Sequence, residues 1–291
     1  MTKDILLGPD GLPVEFYTPE VEGPRKAKSV EVMSTGFKSV AHMLATPGFT
    51  MAHRGSGNGG RWPEMTLLGY TQAVRLGYGV LEVSCNRTSD GVWFGMHDQY
   101  LDRIALGTNG TTLNPINMTW AQVNQYVVNQ AGRVKSPQPI MRLDELIEAY
   151  GDTHILLMDP KYRRNDRLPE FFDIMQSIGP DRAIIKADLD FPWAITELKK
   201  RDPRFKGWGY FWATGSPALN NDPQFDSWVA AWDFIGPEWS DPQAVYDRIT
   251  ALGKPIIAHI AESQAQYDTA ISKGAIGVQC GAIQLITAVG A

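Results

Sequence analysis

The sequence predicts an α/β protein folded as a single (β/α)8 TIM barrel, with a β-hairpin and an insertion after strand 2 and an N-terminal arm. Three observations carry this expectation. Eight short apolar runs recur along the chain with amphipathic stretches between them. Several of the runs are apolar without alternation, as parallel strands covered on both faces are. The length of 291 residues suits one such barrel with additions.

The runs occupy residues 49–52, 80–83, 155–158, 183–186, 207–211, 234–236, 255–258 and 275–278. The stretches between them carry helix signals. Thr66 to Leu76 reads as a helix stopped at Gly77. Pro169 lies in the first turn of a stretch with Leu168, Phe171, Phe172, Met175 and Ile178 at helical spacing, ended by Gly179. Ser240 and Ser263 read as N-caps of two further helices, which Gly253 and Gly274 end. Strand–helix repetition implies parallel pairing, and eight units close a barrel. The rival, a doubly wound open sheet, calls for G-x-G-x-x-G after the first strand. Gly55-Ser56-Gly57-Asn58-Gly59-Gly60 is not that pattern and leads to Arg61-Trp62-Pro63.

Three segments depart from simple alternation. Residues 92–97 form a ninth strand-like run, too close to residues 80–83 for a crossover helix. They read as the return strand of a hairpin turned at Asp90-Gly91. Residues 101–139 then form an insertion with one helix over 119–128. Residues 1–48, punctuated by Gly8-Pro9, Pro13, Pro19 and Gly23-Pro24, read as an arm with helical character over 29–44. The arm is laid against a barrel domain of residues 49–291 and is a candidate assembly surface; the sequence sets no oligomeric state.

Composition narrows the function. Apolar residues make up 43% and charged residues 20%, the balance of a soluble globular protein. A formal charge of −5 with scattered Lys and Arg argues against nucleic acid as a partner, while leaving room for a small phosphorylated ligand. No apolar stretch reaches the roughly 18 residues of a transmembrane segment. The first twenty residues lack the features of a signal peptide, so a cytoplasmic protein is expected. Cys85 and Cys280 read as two reduced core thiols, with one long-range disulfide as the alternative.

Active sites of such barrels are built from the C-terminal ends of the strands. Those ends supply His53 and Arg54, Glu82, Asp159 and Lys161, Lys186, Glu238 and His259, while His97 and Asp98 close the hairpin. A pair of histidines can act as base for an attacking oxygen and acid for a leaving one. Glu82 and Asp159 are hard oxygen ligands suited to Mg2+ or Ca2+. Arg54 and Lys161 suit the oxygens of a phosphate. The same residues carry blander roles. Asp159 can simply pair with Lys161, two residues on and on the same face of an extended chain. Glu64 can cap the following helix, and His259 can serve packing as well as pocket lining. His42 and His154 read as structural, and Trp208, Trp212, Trp232 and Trp239 as core or rim.

Ala52-His53-Arg54-Gly55 with Pro63-Glu64, then Glu82, then Thr88-Ser89-Asp90-Gly91, then His97-Asp98 with Leu101-Asp102-Arg103, resembles the signature of the glycerophosphodiester phosphodiesterase family. That family's pattern is H-R-G, P-E-N-T, E-x-D, T-x-D-G, H-D and L-x-R, and Met158-Asp159-Pro160-Lys161 resembles its later E-x-K. The resemblance covers about residues 49 to 279, the last third by strand pattern only. It implies that His53 and His97 are the acid–base pair, that Glu82 and Asp159 bind a divalent cation, Mg2+ or Ca2+, and that Arg54 and Lys161 contact phosphate. It implies a small phosphodiester, or a cell-wall polymer with similar linkages, as substrate. In that family the hydroxyl neighbouring the phosphate attacks first, and water then opens the cyclic intermediate.

Five departures from the pattern stand out. Ser84 occupies the place of the aspartate in E-x-D, Asp159 is one methylene shorter than the expected glutamate, Met65 replaces an asparagine, Cys280 falls where an aspartate often ends the final strand, and His259-Ile260-Ala261 replaces a W-T-V-type run. Glu64, Ser84, Asp98 and His259 are therefore read as supporting residues around the site. The thinned ligand set and the long leader motivate an alternative: a barrel kept as a binding or structural module, such as a bacteriophage tail component recognising a cell-wall polymer, with the virion as its location.

Overall fold

The computed structural model describes residues 36–57, 59–106, 112–128, 137–161, 167–212 and 221–290. Most of the expected arm, including residues 29–35 of its helix, lies outside them.

Eight parallel strands form the barrel: β1 (Phe49–Ala52), β2 (Val80–Arg87), β7 (Ile155–Pro160), β8 (Ala183–Asp188), β9 (Lys206–Tyr210), β10 (Phe234–Gly236), β11 (Ile257–Ala261) and β12 (Gly277–Cys280). Between β2 and β7 lie the short strands β3 (Trp93–Gly95), β4 (Ala105–Leu106), β5 (Val127–Val128) and β6 (Gln138–Pro139). The eight pair in chain order, β12 returns to β1, and the bridges Ile235–Ile256 and Glu238–His259 close the ring between β10 and β11. The expected fold is present. Six of the eight strands begin within one residue of the apolar runs, whereas β11 and β12 start two residues later than expected. Several also run two to four residues past the end of their apolar run, onto polar residues.

Helices follow the strands: α2 (Leu67–Arg75), α4 (Leu143–Tyr150), α5 (Leu168–Ile178), α6 (Trp193–Arg201), α7 (Phe225–Ala231), α8 (Gln243–Ala251) and α9 (Gln264–Ser272), with the shorter α1 (Val40–Leu44) and α3 (Trp120–Val123) outside that repeat. Thr66 caps α2 by accepting from the Gly69 N–H, and Ser263 caps α9 through the Gln266 N–H. Ser240 does not cap α8, whose N-cap is Pro242; the Asp241 carboxylate instead accepts from the Glu238 N–H at 2.8 Å.

Strand β3 is antiparallel to β2, pairing Cys85 with Gly95 and Arg87 with Trp93, as the hairpin reading expected. The insertion differs from expectation in one respect. Thr119 and Gln122 form a capping box, yet the helix ends at Val123. Val127 and Val128 pair instead with β4 and β6, because two β-branched residues complete a three-stranded sheet over a small core of Phe94, Met96, Leu101 and Val123.

Two cores result. The larger packs the helices on the outer face of the barrel. The smaller fills its interior: Phe49, Met51, Val80, Ile155, Leu157, Ile184, Trp208, Phe234 and Ile257. Residues i and i+2 of a strand share a face, so these form stacked layers. Phe37, Val40 and Met43 join them from below and close the N-terminal end of the barrel. Gly236 and Gly277 make room for the largest rings: a Cβ at either would stand 2.6 Å from the Trp208 ring or 2.5 Å from that of Phe49. Cys85 and Cys280 are buried free thiols. No helix among the described residues is long and apolar enough to cross a membrane.

Candidate active site

One step above the apolar layers, the inward face turns polar. Continuing from Met51, Val80, Leu157, Ile184, Ile257 and Gly277 by two residues reaches His53, Glu82, Asp159, Lys186, His259 and Gln279. Each of these six is at most 4% exposed. Above them opens a cavity of about 530 Å3, lined among others by His53, Arg54, His97, Lys161, Lys186 and Tyr210. The two histidines named from the sequence therefore face one cavity, although 44 positions separate them in the chain.

Arg54 has a left-handed backbone, with φ of 54°, a conformation that costs a side-chain-bearing residue energy unless its surroundings hold it. Here its N–H donates to Glu82 Oε2 at 2.7 Å, and its guanidinium pairs with Glu64 at 3.3 Å. Glu64 also pairs with Arg103, which in turn pairs with Asp98. Capping does not explain Glu64, since Thr66 performs it; the fully buried carboxylate anchors two arginines instead. The chain of pairs ends at His97, whose Nδ1 lies 2.7 Å from Asp98 Oδ1.

Glu82 and Asp159 form the floor. Glu82 Oε1 accepts from Ser84 Oγ and from Lys186 Nζ, both at 3.1 Å. Asp159 Oδ2 lies 2.7 Å from Lys161 Nζ and 3.6 Å from Lys186 Nζ. Lys161 also donates to the Tyr210 hydroxyl at 3.0 Å. This donor set does not fit a divalent cation. Among the described residues, no group of three or more His, Cys, Asp or Glu is placed to hold a metal ion. Both carboxylates are already engaged by ammonium groups. Two unit charges about 4 Å apart repel by about 4 kcal/mol at an effective dielectric near 20, and a divalent ion beside Lys186 would double that.

Burial lowers the His53 pKa well below 6.5, and the nearby charges of Arg54 and Lys186 lower it further. Its Nδ1 has no hydrogen-bond partner among the described residues. Burial lowers His97 too, but the Asp98 bond opposes that shift. Burial favours the neutral form of Asp98; the bonds from His97 and Arg103 outweigh this and hold the carboxyl below its usual range. Lys161 is lowered chiefly by burial, against the pull of Asp159. His259 serves both expected roles: it lines the cavity, and its Nε2 lies 2.9 Å from the Phe211 carbonyl oxygen.

Burial pushes His259 down to about 3 and His154, buried beside Tyr150, down to about 4. A histidine kept neutral by folding contributes stability that is complete above its unfolded pKa of about 6.5 and is lost as pH falls toward the folded value. Between pH 6.5 and about 4 each loses up to roughly 3 kcal/mol at 1.36 kcal/mol per unit. Thermal melts over that range should show a steep fall in Tm; a flat profile would contradict the burial of these rings.

Three residues at the site had no role from the sequence. The sequence puts Lys186 at a strand end and gives it no function. Tyr210 is hidden inside an apolar run. Gln279 is fully buried against the cavity with both amide atoms unpartnered among the described residues, the condition of a group waiting for a ligand. The signal for it is parity, because it stands two positions beyond Gly277 on the inward face.

A closed parallel barrel thus gathers two imidazoles, an arginine and two lysines at its C-terminal mouth, a set suited to the oxygens of a phosphate ester. Residues 53–184 match the model of the glycerophosphoryl diester phosphodiesterase family. The sequence matches no curated protein. Solved structures share the fold. A Silicibacter pomeroyi protein assigned as a glycerophosphoryl diester phosphodiesterase superposes with a TM-score of 0.70 at 16% identity, over 85% of this chain and 95% of its own. A glycerophosphoryl diester phosphodiesterase of Parabacteroides distasonis gives 0.65 at 16% identity, over 85% and 90%. An Oleispira antarctica phosphodiesterase in complex with its product sn-glycerol-3-phosphate gives 0.62 at 19% identity, over 82% and 94%.

Proposed function

We infer that the chain hydrolyses glycerophosphodiesters, or a polymer with glycerol-phosphate linkages, by acid–base catalysis between His53 and His97. The observation that carries this reading is the convergence of both imidazoles on one cavity that also holds Arg54 and Lys161. Arg54 and Lys161 hold the phosphate oxygens. His53, kept neutral by burial and by its cationic neighbours, takes the proton of the hydroxyl adjoining the phosphate. That oxygen bonds to phosphorus, the bond from phosphorus to the leaving alcohol breaks, and His97 protonates the leaving oxygen. His97 suits the acid role because the Asp98 carboxylate stabilises its imidazolium form. Water then opens the cyclic phosphate with the two roles reversed.

Release of choline from glycerophosphocholine, followed with product analysis for cyclic phosphate, tests the reading. Both free-protein histidines titrate below 6.5, so kcat/KM should peak on the acid side of that value and decline as pH rises. Asp98→Asn removes the carboxylate that favours the imidazolium, so its declining limb should move to lower pH. An unshifted profile would remove His97 as the acid. If neither glycerophosphocholine nor polymer is cleaved under any condition, the barrel is a binding module instead.

A further inference from the structure

Glu82 and Asp159 are the carboxylates that the family pattern gives to a divalent cation, and here one side chain spans them. The Nζ of Lys186 lies 3.1 Å from Glu82 Oε1 and 3.6 Å from Asp159 Oδ2. We propose that the Lys186 ammonium stands in the cation position, so that this site meets a phosphodiester with a fixed side-chain charge and holds no divalent ion. The proposal deepens the reading of the cavity as a phosphodiesterase site and rests on it.

Local charge supports the exchange. Where the family pattern has an aspartate, Ser84 donates a neutral hydroxyl to Glu82 at 3.1 Å. One carboxylate fewer is thus matched by one positive charge fewer when an ammonium replaces a divalent ion, and the net charge of the cluster is preserved. Position supports it too. Lys186 is 4% exposed, and its Nζ lies 4.8 Å from the ring centre of Tyr210 and 5.2 Å from that of Trp208, so aromatic faces confine it beside the carboxylates. A buried ammonium needs such partners, and leaving them to admit a metal ion would strand it. Lys186 also lines the cavity, which puts its charge within reach of a bound phosphate.

The test uses the full chain. Titration calorimetry with MgCl2, CaCl2 and MnCl2 should show no saturable binding at ~1 mM, the weak end of protein sites for such ions. Hydrolysis of glycerophosphocholine should proceed equally in EDTA and with each cation. Lys186→Ala should lose about 100-fold in kcat in EDTA, the usual cost of removing one group that stabilises developing charge. The same variant should gain Mn2+ binding at the vacated carboxylates. Lys186→Met, which keeps the volume and removes the charge, replaces it if the alanine variant does not fold. Saturable cation binding by the unaltered chain that Glu82→Gln abolishes, or loss of turnover in EDTA restored by a cation, would overturn the proposal. If the unaltered chain cleaves no substrate with any cation, the functional reading falls, and calorimetry still decides what occupies the position.

Discussion

Replacing either His53 or His97 by alanine lowers kcat on a glycerophosphodiester by about 100- to 10,000-fold, the range that one positioned acid or base supplies. The two losses should not add in the double variant, because a base without its acid completes no turnover. His53 is 4% exposed at the end of β1, so its truncation also leaves a void and lowers Tm. His53→Gln keeps most of the volume and separates the two effects. His97 is a third exposed and should cost little stability. Either variant retaining full turnover with an intact circular dichroism spectrum would end the acid–base assignment.

Glu64→Ala should destabilise the fold by about 3–5 kcal/mol, the cost of breaking a buried ion pair from one side. The side chain is fully buried, and without it the guanidinium of Arg54, a side chain only 10% exposed, loses its carboxylate partner. Arg103 keeps Asp98, so the damage centres on Arg54. With that arginine no longer aimed at the cavity, KM should rise as well. Glu64→Gln retains the shape and one acceptor and should recover part of the stability. Urea unfolding of the three proteins measures the first effect and steady-state kinetics the second. A stability change below about 1 kcal/mol would mean that Arg54 finds another partner.

Much of the fold was legible in the sequence because the pattern is local. A strand covered on both faces must be apolar throughout, and all eight were found from that requirement. The ends were missed for the reason that makes them useful. Asp188 and His259 continue their strands beyond the apolar runs while their side chains line a polar cavity, so the apolar run stops before the strand does. The helix expected over residues 119–128 failed where Val127 and Val128 found strand partners far along the chain, information that no local window holds. His53, His97, Arg54 and Lys161, which the motifs single out, all line the cavity. The bridge from Lys186 to Glu82 joins residues 104 positions apart, and only the closing of the barrel brings it into view.

The seal formed by Phe37, Val40 and Met43 also fixes the position of Gly36. That residue sits against Thr153, His154 and Gly79, all at the bases of strands, on the pole opposite the catalytic opening. A group joined at Gly36 itself would therefore meet the rear of the protein, away from the substrate traffic at the front.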